Sequence, residues 1–184
     1  GALRTPRSLD YFLDVLHAAQ VGNTGLLAEA LTGWYRDPLL LNEGYYYAVE
    51  CGEEVPFDDP DAIRATLDDL PPELRPGFEN DILTELAICA VWGLADPDPV
   101  EDQPVRSDVP ALVIAGEFDP ITPPYWGQMA AETLTTSYLF TFPGLGHGVT
   151  DYDLCPLDII AAFLAEPDEP PPAGCVDGMG SLLR

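Results

Sequence analysis

Lysine is missing from this chain. Its seven basic residues are all arginine, set against 32 aspartates and glutamates, and the formal net charge over 184 residues is −25. Such a polyanion repels nucleic acid and anionic membranes, so neither is an expected partner, and it attracts cationic groups. The plain reading of the charge is solubility; a functional acidic surface is the alternative. No apolar run is long enough to span a membrane, and no secretion signal is visible, as expected of a chain that starts partway through a longer protein. Neither a C-x-x-C pair nor a Cys/His cluster occurs, which argues against zinc. No metal or cofactor is expected. Histidine is scarce, with only His17 and His147, and serine occurs four times.

Hydrophobic residues make up 47% of the chain, so a core can form and disorder is not expected. The four cysteines are Cys51, Cys89, Cys155 and Cys175. An even count at wide spacing suits two disulfides, and hence an exported protein, extracellular or periplasmic. Three pairings are open, and the sequential one is the simplest. Each such loop contributes about 3 kcal/mol if unstrained. Four buried thiols in a cytosolic protein are the alternative.

Residues 1–93 read as helical. Ser8 is placed to cap a helix with Leu9, Phe12, Leu13 and Leu16 on one face, ending near Gly22 and Asn23. Further helices are expected over 24–31, over 41–51 despite Gly44, and from Asp59-Pro60 through Leu67. After Pro71-Pro72, Asn80 is read as the cap of another, with Ile82, Leu83, Leu86, Cys89 and Ala90 as its stripe. Residues 94–110 hold four prolines and five acids, the composition of a linker. The pattern then changes to strand 111–115, helix 123–134, strand 138–142 and helix 153–165. That β-α-β-α alternation is the signature of a parallel α/β sheet. The Pro-rich tail from Pro167 needs tying down, which Cys175 can do. Trp34, Trp92 and Trp126 read as core or pocket wall.

Two loops carry the chemistry. In ALVIAGEFDPITP, residues 111–123, an apolar run ends in a turn bearing Asp119. In YLFTFPGLGHG, residues 138–148, a second run ends in a turn bearing His147 among Gly144, Gly146 and Gly148. Carboxyl ends of parallel strands are where α/β sheets place active residues. A general base needs one ring nitrogen toward a nucleophile and the other toward an orienting carboxylate. Asp119 and His147 are therefore read as the acid and base of a hydrolase triad. Glu117 is the rival carboxylate, Asp153 is better read as a helix cap, and His17 as a bystander on an amphipathic helix. A turn histidine with no catalytic task is the bland alternative for His147. None of Ser8, Ser107, Ser137 and Ser181 sits in a G-x-S-x-G elbow. The stretch from Tyr45 to Glu54 sets three tyrosines beside Glu50, Glu53 and Glu54. It can line a pocket for a cationic group or simply end a packed helix.

Together, PALVIAGEFDPITPPYWGQMAAETL, FPGLGHGV, Cys155 with AAFLAEP, and Cys175-Val176 resemble the TAP-like C-terminal region of α/β hydrolases, the family of tripeptidyl aminopeptidases and proline iminopeptidases. GYYYAVECGEEVPF and Cys89-Ala-Val-Trp92 are similar to that family's lid. The resemblance implies an α/β fold: the last two parallel strands of a hydrolase sheet with flanking helices in residues 101–184, and a helical lid in residues 1–100. It implies Asp119 as triad acid, His147 as triad base, and Cys51–Cys89 and Cys155–Cys175 as disulfides. It makes Glu50, Glu53 and Glu54 candidates for binding a substrate's α-amino group. The oxyanion-hole loop, the serine elbow and the earlier strands have no counterpart here, so an N-terminal hydrolase half is expected to lie outside this sequence.

Three functions compete: an exported aminopeptidase acting through Ser-His-Asp on peptides, an esterase or lipase-like hydrolase acting on small esters, and a non-catalytic acidic binding module. A two-stranded parallel sheet leaves two open edges. The isolated chain is therefore expected to dimerise through that sheet; light scattering showing a monomer at high concentration overturns this.

Overall fold

The computed structural model describes residues 6–35 and 42–180, with side chains described over 10–32 and 42–180. The chain divides into two compact units, residues 36–103 and residues 1–35 with 104–184.

Within the second of these, α1 (Pro6–Gln20) and α2 (Gly25–Tyr35) pack together. The proposed cap at Ser8 is corrected: α1 already begins at Pro6, two residues earlier. Its buried positions are Val15 and Ala18, whereas Phe12, Leu13 and Leu16 are exposed. Val15 and Ala18, three positions apart, share one helix face, and that is the face that packs. Leu9, Trp34, Ser8 and Ser181 have side chains outside the described residues.

The α/β part runs β1 (Ala111–Gly116), α6 (Pro124–Glu132), β2 (Ser137–Phe142), α7 (Leu154–Ala165) and a short α8 (Gly174–Asp177). The strands pair in parallel, Ala111 opposite Ser137 through Gly116 opposite Phe142. Side chains alternate across the strands. Leu112, Ile114, Phe140 and Phe142 face the α7 side, packing with Leu145, Val149, Cys155 and Ile159. Val113, Ala115 and Leu139 face α6, whose Gly127 lies close against them. Asp153 caps α7, its carboxylate accepting the Cys155 N–H at 2.8 Å. Cys155 is bonded to Cys175, which ties the Pro-rich tail to the start of α7. Trp126, read as core or pocket wall, is not core: it is 62% exposed, because the packed side of α6 is its Gly127 side.

The helical unit contains α3 (Glu43–Val49), a π turn over Glu50–Glu54, a 3-10 turn over Val55–Phe57, α4 (Pro60–Asp68) and α5 (Arg75–Trp92). Asn42 caps α3 and Asp59 caps α4, Pro60 taking the first-turn position. Asn80 is not a cap: α5 starts at Arg75, over a turn earlier, with Pro76 in its first turn. The Arg75 and Leu74 amides are already bonded to Pro71 O, so the helical turn forms before Asn80 is reached. Cys51 is bonded to Cys89, joining the π turn to α5. Trp92, also read as core or pocket wall, is 41% exposed and so is not core. Among the described residues, no helix is long and apolar enough to cross a membrane. Two disulfides point to a non-cytoplasmic location.

The last residue of β1 meets the loop after β2 backbone to backbone. A Cβ added to Gly116 would fall on the carbonyls of Leu145 and Gly146. Gly116→Ala is expected to cost about 1–3 kcal/mol in urea unfolding and to shift the His147 resonances in NMR spectra.

Candidate active site

Asp119 and His147 enter from the carboxyl ends of adjacent strands. Past Gly116 the ladder continues for one bond, Glu117 N–H to Phe142 O at 3.1 Å. Phe118 N–H then donates to Leu145 O at 2.9 Å, so the two loops are stitched together before either functional side chain appears. Glu117 is no rival acid in this geometry: its Oε2 accepts the Gly144 N–H at 2.8 Å and so braces the histidine loop. Gly144 and Gly148 bracket His147 at φ 74° and 79°. That region suits glycine, and it lets the loop reverse within five residues.

His147 Nδ1 lies 3.0 Å from Asp119 Oδ2 and 3.1 Å from Oδ1. A carboxylate only accepts, which assigns the proton to Nδ1 and the lone pair to Nε2. Asp119 is buried, and the His147 side chain is 35% exposed. Three further donors hold the carboxylate. Ile121 and Thr122 N–H groups donate to Oδ1 at 2.9 Å each, and the Thr122 hydroxyl donates to Oδ2 at 2.8 Å. Burial pushes the Asp119 carboxyl up, but these donors and His147 outweigh it and hold it below the ordinary carboxylate value. Thr122 escaped the sequence reading. Its signal was local: a threonine three residues after an aspartate, just before Pro-Pro, is turn and cap spacing.

The described serines stand elsewhere. Ser107 bridges to Leu134 and Ser137 opens β2, at the sheet end away from His147. His17 is exposed on α1. Among the described residues, no three His, Cys, Asp or Glu side chains gather as a metal site requires.

In the helical unit, Glu50 has Glu54, Asp58 and Glu85 of α5 for charged neighbours, and Glu53, like Glu54, is exposed. Burial, then Glu85, Glu54 and Asp58, raises the Glu50 carboxyl. The Tyr46 hydroxyl donates to Glu85 at 3.0 Å, and burial together with Glu85 pushes that phenol up to about 12. Glu85 was missed because it is 35 positions beyond Glu50 in sequence. The Cys51–Cys89 bond brings them near, since Glu85 precedes Cys89 by one helical turn.

A carboxyl held below its unfolded value stabilises the fold above that value, and the benefit is lost as pH falls through the folded one. The stability gap between the native chain and Asp119→Asn is thus expected to be about 2 kcal/mol at neutral pH. It should shrink only below about pH 4. Urea unfolding of both proteins from pH 7 to pH 2 measures it; a gap independent of pH contradicts the assignment.

No curated protein and no solved structure matches this chain. A family model does, that of the TAP-like protein, over residues 75–175. The match takes in α5 and both strands with their loops, including Asp119 and His147, and spans more than half of the sequence. The chain accordingly belongs to the TAP-like family of α/β hydrolases.

Proposed function

We propose that this chain carries the acid and the base of a Ser-His-Asp hydrolase whose nucleophilic serine lies outside these 184 residues. The observation that carries this reading is the 3.0 Å contact between His147 Nδ1 and the buried Asp119 at the ends of two parallel strands. In the reaction, His147 Nε2 takes the serine proton as Oγ attacks the acyl carbon. Asp119 stabilises the imidazolium, which then protonates the leaving group. Water repeats the cycle on the acyl-enzyme and returns the serine. Sheet physics supports the missing nucleophile segment, because two parallel strands leave both edges unpaired and earlier strands would cover them.

The substrate we assign is a peptide cleaved from its N-terminus, with the helical residues 1–100 as the lid region. Supporting this, Glu50, Glu54 and Glu85 form an acidic cluster suited to an α-ammonium group. The two disulfides support export.

Fluorophosphonate labelling of the native protein in its source tests the proposal, read by the mass of the labelled species. A labelled polypeptide much larger than 19.9 kDa, containing these peptides, is expected, with labelling abolished by His147→Ala. An unlabelled native species of this length overturns the catalytic reading.

A further inference from the structure

We propose that Thr122 is a positioning residue, its hydroxyl fixing the Asp119 carboxylate so that His147 is held in one tautomer; this rests on the reading of Asp119 and His147 as the catalytic pair. The donors around Asp119 are divided unevenly. Oδ1 receives both backbone N–H groups, from Ile121 and Thr122. Oδ2, the oxygen nearer to His147 Nδ1, receives the Thr122 hydroxyl at 2.8 Å. Backbone donors survive any change of side chain, so besides His147 itself the hydroxyl is the removable restraint on Oδ2. The terminal torsion of an aspartate is soft, and without the hydroxyl only the imidazole, whose own orientation is in question, would hold Oδ2.

The same Thr122 Oγ1 lies 3.4 Å from His147 Nδ1. Its single proton is committed to Oδ2, so toward the imidazole it presents lone pairs only. Nδ1 is thereby faced by three acceptor oxygens: Oδ1, Oδ2 and Oγ1. All three favour a proton on Nδ1, and that is the tautomer which leaves Nε2 able to take a proton from a nucleophile. Pro120 and Pro123 flank the segment and restrict its backbone, so the hydroxyl arrives with little conformational freedom. Three further carboxylates stand on these loops: Glu117 on the Gly144 amide, Asp153 on the Cys155 amide, and Asp151 in the 3-10 turn after Gly148. The test must therefore read Asp119 and His147 individually.

Isotope-labelled chain permits this by NMR. Long-range nitrogen–proton spectra at a pH where the ring is neutral report the His147 tautomer, and the Asp119 carboxyl carbon reports its titration. The wild type and Thr122→Ser are expected to show the Nδ1–H form. Thr122→Val, which keeps the shape and loses the hydroxyl, is expected to raise the Nε2–H fraction several-fold and to move the Asp119 titration to higher pH. Thr122→Ala is a second hydroxyl-free variant should the valine pack poorly. A merely structural threonine would lower the melting temperature and leave both signals in place, and that result in the folded variants overturns the proposal. Asp119→Asn separates the two levels. If it alters the tautomer while the Thr122 variants do not, only the role of Thr122 fails. If it too leaves the tautomer unchanged, the pairing of Asp119 with His147 fails as well.

Discussion

Everything at the candidate site hangs on the way the end of β1 is sewn to the loop after β2. The parallel register brings Gly116 opposite Phe142, and the next two amides, of Glu117 and Phe118, donate to Phe142 and Leu145. At that crossing there is no room for a side chain, which is why β1 ends in glycine. A backbone contact of this kind sets distance more rigidly than side-chain packing can, because amide and carbonyl have no rotamers. Asp119 and His147, 28 positions apart, are placed by this seam.

Polar satisfaction follows the same logic. Asp119 is the buried charged residue of the described core, and a buried carboxylate is tolerated only when its oxygens are bonded. Two amides, a hydroxyl and an imidazole supply those bonds. Glu117, two residues nearer the strand, accepts the Gly144 amide and braces the neighbouring loop. Two carboxylates two residues apart thus have different tasks, set by which donors surround each.

Acidity takes a different form in the helical unit. There the Cys51–Cys89 bond holds the π turn against α5 and crowds Glu50, Glu54 and Glu85. Burial, then these neighbouring carboxylates, raises the affinity of Glu50 for a proton. In a chain with 32 acids, seven arginines and no lysine, that crowding is local, since most of the acids lie on exposed surface where water screens them.

The sequence by itself determined the elements whose causes are local. Apolar runs ending in glycine-bearing turns announced both strands, Asp59-Pro60 and Asp153 announced two helix starts, and the strand-loop positions of Asp119 and His147 announced the candidate pair. Tertiary structure decided the rest. It chose Val15 and Ala18 over the larger stripe of α1, began α5 before Asn80, left Trp92 and Trp126 exposed, drew Glu85 to Glu50, and set the Thr122 hydroxyl on Oδ2 of Asp119. The division is physical. Periodicity, caps and turns are properties of a few consecutive residues. Which face is buried and which oxygen receives a proton depends on groups that only the folded chain brings within bonding distance.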